Sequence, residues 1–351
     1  MIQTKQNTEG ECRRFPAEWE TQSAVLISWP HKESDWAYML DEITECYISI
    51  IEAITKNGRV ILIAPDATVP QSKLGHIASN KIEIIEVPTN DTWIRDYGPL
   101  TVMDSGKPVL CDFQFNGWGM KFAANQDNRV TSRLFENGIF SAKLENRLDF
   151  VLEGGSIESD GKGTLLTTSH CLMAPNRNNT LNRIEIERYL KDCFGLNHIL
   201  WLYYGSLTGD DTDSHIDTLA RLAPNDTIVY TGCQNKEDEH YHELQLMAKQ
   251  LRGFVTSDGR PYNLIELPLP DPIYDEDGFR LPATYANYLV DDTTIIMPTY
   301  NQPQNDLVAS DMLKKAFPNH QLLTVNCVPL IKQHGSLHCA TMQLYPDTLA
   351  I

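Results

Sequence analysis

Leu100–Phe115 reads LTVMDSGKPVLCDFQF: an apolar run, the turn Asp104-Ser105-Gly106-Lys107-Pro108, and a second apolar run. Two β-compatible runs joined by a short Gly/Asp/Ser turn are a hairpin signature. The pattern returns three times. FVLEGGSIE passes through Ser159-Asp160-Gly161-Lys162-Gly163 into TLLTT. HIDTLARL passes through Ala223-Pro224-Asn225-Asp226 into TIVYTG. YANYLV passes through Asp291-Asp292 into TTIIMPTY. The turns recur roughly every 60 residues, as in a repeat architecture. Helical patterns intervene, as in RIEIERYLKDCFG and in EHYHELQLMAKQLRG, which ends at Gly253. Trp36, Met39, Leu40, Ile43, Ile48, Ile51 and Ile54 predict a further helix over 33–56, with its apolar face in the core.

A fifth hairpin is missing from the interior. SAVLISWP near residue 23 and SLHCATMQLYP from Ser336 are both strand-like. We expect these two ends to pair, completing a fifth unit and closing a ring. Closure leaves few free edges and a central channel. It would make residues 1–351 a single domain.

Composition narrows the function. The formal net charge is −18 over 351 residues, with no basic patch, which argues against a nucleic-acid partner. An acidic field attracts cations. No apolar run is long enough to span a bilayer, and the first fifteen residues lack a secretory apolar core, so a cytoplasmic chain with no membrane partner is expected. Eight dispersed cysteines without a Cys-x-x-Cys pair read as free thiols, most of them buried. Asp210, Asp211 and Asp213 lack the EF-hand spacing, and His240 and His242 lack a His-Glu-x-x-His pattern, so no metal is expected. No phosphate-binding or dinucleotide fingerprint is present, and no cofactor is expected.

Four polar segments interrupt the apolar pattern near the starts of the hairpins: NDTWIRDYGP (90–99), LEGGS (152–156), GDDTDSHIDT (209–218) and HGSLHCAT (334–341). In a closed repeat fold, equivalent strand ends converge, and these four would meet. They supply the carboxylates of Asp96, Glu153 and Asp217, the imidazole of His215 and the thiol of Cys339. Carboxylates hold a guanidinium fork by charge-assisted bonds. A thiolate can attack its central carbon while a histidine protonates departing ammonia and then activates water. Each piece has a plainer alternative. A lone Cys in a strand is usually core. His215-x-Asp217 shares one strand face and by itself suits a surface pair. Gly154-Gly155 by itself suits a strand irregularity.

Taken together, these segments resemble the agmatine deiminase family of the guanidine-modifying superfamily, which includes bacterial-type peptidylarginine deiminases. The resemblance spans FPAEWETQSAVLISWPHK (15–32), NDTWIRDYGP, FNGWG (115–119), LEGGSIESDGKGTLLTT, PNRN (175–178), GDDTDSHID, LPATYANYLV and the Cys339 segment. It implies a five-bladed α/β propeller with pseudo-fivefold symmetry, no metal or cofactor, and a homodimer. It implies Cys339 as nucleophile, His215 as general acid and base, Asp96 and Asp217 on the guanidinium, and Glu153 against the histidine or the guanidinium. It places Trp93 and Asp211 along the substrate channel. The implied reaction is hydrolysis of agmatine to N-carbamoylputrescine and ammonia. Peptidyl-arginine or arginine deimination, amidino transfer and a silent guanidine-binding protein are the alternatives. His-Gly-Ser-Leu-His-Cys stands where the family pattern is Gly-Gly-Asn-Ile-His-Cys, a departure that touches the pocket and not the reacting groups. His338 alternates with Cys339 and is expected to face away from it in a structural role.

Overall fold

The computed structural model describes residues 13–351. Cys12 and the start of the chain lie outside them. The seven cysteines among the described residues are free thiols and buried.

The strands form five small mixed sheets. The first contains β1 (Ala24–Ser28), β2 (Val60–Ala64) and β3 (Ile82–Glu86); the second β4 (Leu100–Asp104), β5 (Lys107–Gln114) and β6 (Lys143–Val151); the third β7 (Ile157–Ser159), β8 (Thr164–Thr168) and β9 (His198–Leu202). The fourth contains β10 (Ala220–Ala223), β11 (Thr227–Gly232) and β12 (Asn263–Pro268); the fifth β13 (Leu289–Asp291), β14 (Thr294–Thr299) and β15 (Gln321–Asn326). The last strand, β16 (Thr341–Leu344), returns to the first sheet and lies antiparallel on β1, with Ala24 opposite Leu344 and Ile27 opposite Thr341. Sheets two to five share one order: an antiparallel hairpin, then a third strand parallel to its second. In the first sheet β16, β1 and β2 repeat that order, and β3 adds an edge.

The four hairpins fall where the turns predict them. In the first, Asp104 pairs with Lys107, and Ser105 and Gly106 both take positive φ, 53° and 76°. That left-handed pair matches the twist of the strands it joins. The sequence pattern missed the third, parallel strand of each unit. β6 (KLENRLDFV) and β15 (QLLTVN) are half exposed and carry polar residues, whereas β1 (AVLIS) and β2 (VILIA) are buried throughout.

A helix joins the second and third strands of each unit, as a parallel connection requires. These are α1 (Leu40–Thr55), α2 (Val130–Glu136), α3 (Arg183–Phe194), α4 (Tyr241–Leu251) and α5 (Pro303–Ala316). α3 opens on a capping box between Asn182 and Glu185 and ends at Gly195 in the left-handed region. α4 ends two residues before Gly253. α1 starts later than its pattern predicts. A turn closes from the Ser34 N–H to the His31 carbonyl at 3.1 Å, and Trp36 instead donates its indole N–H to Thr92 Oγ1 at 2.9 Å. Ile43, Ile51 and Ile54 are fully buried, while Leu40 and Ile48 are partly covered. The helices bridge units: α1 packs on β15, α5 on β12 and α4 on β9. Among the described residues no helix is long and apolar enough to cross a membrane.

Candidate active site

The four polar segments meet at one buried centre. Asp96 lies in the helical turn Ile94–Tyr97 that leads from β3 into β4. Both its oxygens are held: Oδ1 accepts the Gly155 N–H at 3.0 Å, and Oδ2 accepts the Trp118 indole N–H at 2.9 Å. His215 Nδ1 lies 3.6 Å from Asp96 Oδ1. Cys339 Sγ lies 3.7 Å from Asp217 Oδ2 and 3.3 Å from Asn287 Nδ2. The Arg95 N–H donates to the Cys339 carbonyl at 3.2 Å, tying the first segment to the fourth.

Two local expectations change. Ile216–Thr218 is a 3-10 turn, so His215 and Asp217 reach the centre from a curled backbone instead of one strand face. Cys339 sits in the turn before β16, not within a strand. Gly154–Ser156 is likewise a 3-10 turn. Its glycines permit close approach: a Cβ on Gly155 would stand 2.7 Å from His215 Nδ1, 2.9 Å from Asp96 Oδ1 and 3.0 Å from Asp217 Oδ2. The ring nitrogens of His215 and Asp217 Oδ1 are buried and make no hydrogen bond among the described residues. Buried polar groups left this way are uncommon in folded proteins.

Glu153 is fully buried, and its carboxylate takes the Arg177 Nε–H, at 2.9 and 3.0 Å. It lies near the histidine: Glu153, Cys171 and His215 each bring one polar atom within 4.8 Å of the others. Arg177 also donates to Asp213 Oδ2 at 2.6 Å and to the Thr212 carbonyl at 2.9 Å, which fixes the loop leading to His215. That trio, and a second formed by Glu18, Glu158 and His338, could hold a cation by donor type. In both, the chain's own guanidiniums already occupy the carboxylates, Arg177 in the first and Arg221 in the second.

Electrostatics separates the groups. Burial pushes Asp96 up to about 6, against the pull of His215. Burial also opposes the charge on Asp217, but a hydrogen bond from His338 and the charges of His338 and His215 hold it below the usual carboxylate range. Burial disfavours the imidazolium of His215, yet the charges of Asp96, Cys171 and Glu153 outweigh it and raise its pKa. Burial and the charges of Asp217 and Asp96 raise the Cys339 thiol well above its usual range. These are the expected directions for desolvation and neighbouring charge.

A cleft of about 380 Å³, its open mouth included, leads to Cys339. Trp93 and Trp118 line it, with Asp35, Asp91 and Asp211. Trp93 packs against Trp36, ring centroids 5.6 Å apart, and Gly335 lies flat on its indole. Burial raises both Asp91, to about 7, and Asp211. His338 points away from the cleft and donates from Nδ1 to Asp217 Oδ2 at 2.8 Å.

The residue-by-residue reading left Trp118, Arg177 and Asn287 without a role. All three stand inside quoted segments: FNGWG, PNRN and LPATYANYLV. Gly117, Trp118, Gly119 and Met120 all take positive φ. Such strain in non-glycine residues gathers at functional sites.

The chain matches the Porphyromonas-type peptidyl-arginine deiminase family model over residues 14–345. It is similar to a solved Porphyromonas gingivalis protein named "Putative Arginine Deiminase", with 45% identity and a TM-score of 0.90 over 96% of this chain and 99% of that one. It is similar to a Cys-to-Ser variant of C. jejuni agmatine deiminase with substrate bound, with 40% identity and a TM-score of 0.89 over 95% and 96%. A Marinomonas sp. (strain MWYL1) protein named "Putative agmatine deiminase" is 31% identical over 96% of this chain and 95% of its own length. By the match over residues 14–345 and this identity, the chain belongs to the Porphyromonas-type peptidyl-arginine deiminase family.

Proposed function

We propose that this protein hydrolyses agmatine to N-carbamoylputrescine and ammonia through a covalent adduct on Cys339. The observation that carries the substrate is the distribution of charge along the cleft. Carboxylates stand at both depths, Asp96 and Asp217 around the thiol and Asp35, Asp91 and Asp211 along the approach, and no Arg or Lys is among the lining residues. Agmatine carries a guanidinium at one end and an ammonium at the other. Free arginine would bring a carboxylate to that acidic mouth.

The steps follow from the protonation states. In the empty site the thiol keeps its proton, because burial and two carboxylates disfavour a thiolate. A guanidinium between Asp96 and Asp217 brings positive charge to the sulfur. The thiol proton is then released to solvent, and the thiolate attacks the guanidinium carbon. His215, held as imidazolium, protonates the amino group of the tetrahedral adduct, and ammonia leaves. The neutral imidazole then takes a proton from water as its oxygen attacks the amidino-cysteine carbon. Collapse expels the sulfur, which recovers the hydroxyl proton, and releases the ureido product. The carboxylates contribute orientation and a preorganised field.

Ammonia release from agmatine, arginine and a blocked arginine peptide tests the reading. Agmatine should exceed the other two by about 100-fold or more in kcat/KM, since its ammonium alone suits the mouth. Preference for the peptide would assign peptidylarginine deimination instead. For agmatine, kcat/KM should fall as pH drops through about 6, where Asp96 takes up a proton and loses its hold on the guanidinium.

We further propose that the five sheets close into a five-bladed propeller forming one domain over residues 1–351. The β1–β16 pairing and the packing of α1 on β15 support closure. Deleting residues 1–30 removes β1 and should abolish cooperative thermal unfolding; a truncated chain that still melts in one sharp transition sinks the idea.

A further inference from the structure

Glu18, which lines a pocket separate from the cleft, joins two of the four site segments to the strand that follows a third. Its Oε1 accepts from Arg95 Nη1 at 3.0 Å, and Arg95 immediately precedes Asp96. Its Oε2 accepts from Arg221 Nη2 at 2.5 Å, and Arg221 stands four residues after Asp217. Both oxygens also lie against His338 Nε2, at 2.8 and 3.1 Å, and His338 immediately precedes Cys339. The same imidazole then reaches Asp217 Oδ2 from Nδ1 at 2.8 Å. Its backbone is pinned as well: the His338 N–H donates to Asn287 Oδ1 at 2.9 Å. A hydrogen on Nδ1 donates to the Asp217 carboxylate, while Nε2 either donates to Glu18 in the imidazolium or accepts from Arg221 Nη2, 3.0 Å away, in the neutral ring.

We propose that Glu18 and His338 are positioning residues for deimination: Glu18 aligns His338, and His338 fixes Asp217 as an oriented, ionised carboxylate for the guanidinium. The proposal rests on the deiminase reading and extends it to a segment before β1 that touches no substrate. One oxygen of Asp217 is spent on His338, and the other, Oδ1, is buried without a partner and free for the guanidinium. Without the imidazole, Asp217 would face Asp96 and His215 with only the long 3.7 Å contact from the Cys339 thiol as a donor. It would be drawn towards the protonated form, and its plane would be unset.

The test uses the full chain, with cooperative thermal unfolding as the check on folding. His338→Ala and Glu18→Ala should raise KM for agmatine about ten-fold or more while kcat changes less, the scale on which lost support of a site residue is felt. His338→Asn puts a carboxamide N–H where Nδ1–H stood and should recover most of the parental KM. His338→Gln reaches Glu18 but not Asp217, and should behave like the alanine variant. If either alanine variant fails to fold, the Asn and Gln pair carries the same contrast. The second readout is independent of turnover: carbon-13 NMR of labelled aspartate, with the Asp217 signal identified by its loss in Asp217→Asn. In the parent this carboxyl should titrate below the usual carboxylate range; in His338→Ala or His338→Gln its midpoint should move up measurably. Parental KM and an unmoved Asp217 signal in a folded His338→Gln protein would overturn the proposal. If the parent itself releases no ammonia, the deiminase reading fails, and the Asp217 titration still decides whether His338 governs that carboxylate.

Discussion

Cys339→Ala should lower ammonia release from agmatine by at least about 10⁴-fold, since removing a nucleophile removes the covalent route itself. Agmatine binding, measured by calorimetry, should survive, because Asp96 and Asp217 remain held by Trp118, Gly155 and His338. The fold should survive too. Cys339 is a small side chain at the end of the cleft, and its backbone bonds to Asn287 and Arg95 do not depend on sulfur. A variant that binds agmatine and still turns it over at the parental rate would remove Cys339 from the mechanism. Cys171, the buried thiol beside His215, would then be the next nucleophile to test.

These two thiols shift in the same direction. Burial raises both, and for Cys339 the charges of Asp217 and Asp96 add to it. A nucleophile protonated until a cation arrives is spared from adventitious oxidation and alkylation, since the thiolate is the reactive form. His215 runs the other way. Asp96, Cys171 and Glu153 hold its proton. One acidic field thus stores a proton on the acid and withholds a thiolate from solvent. In the proposed reaction the substrate's own charge would reverse the second effect.

How much of this was legible in the sequence depends on the range of the interaction. Ser105-Gly106 encodes its turn within four residues, so the hairpins could be read directly. The pairing of β1 with β16 could be inferred because each end supplied a strand without a partner. The parallel third strands were invisible because β6 and β15 sit half exposed and carry polar residues, which blurs the period-two signal. The 3-10 turn at Ile216–Thr218 escaped for a similar reason: three residues hold too little pattern to oppose a strand reading. Partners across the chain were beyond local reading. Arg177 lies 24 positions from Glu153, and Glu18 lies 320 from His338, though all four stand in segments that the family resemblance had gathered. His338 was expected to serve structure and face away from the thiol. It reaches the centre through Asp217, bonding the same oxygen that lies 3.7 Å from the thiol.

Gly155→Ala adds one methyl group and should lower kcat/KM for agmatine by about 100-fold or more, the scale set by misplacing reacting groups by about 1 Å. The added carbon meets His215 Nδ1, Asp96 Oδ1 and Asp217 Oδ2, all within 3.0 Å. None of the three can retreat at low cost. Asp96 is bonded at both oxygens, Asp217 is bonded to His338, and His215 is fully enclosed. The 3-10 turn cannot retreat either, because a Cβ on the preceding glycine would stand 2.2 Å from the Arg95 carbonyl, so the backbone there is already in close contact. Overpacking of this kind costs about 1–3 kcal/mol of stability. The loss of activity should therefore exceed what the unfolded fraction explains, a separation made by measuring thermal unfolding and agmatine kinetics on the same preparation. Gly155→Ala with parental kcat/KM would mean that the two aspartates and the histidine do not need their observed spacing, and the geometric argument for the site would fall with it.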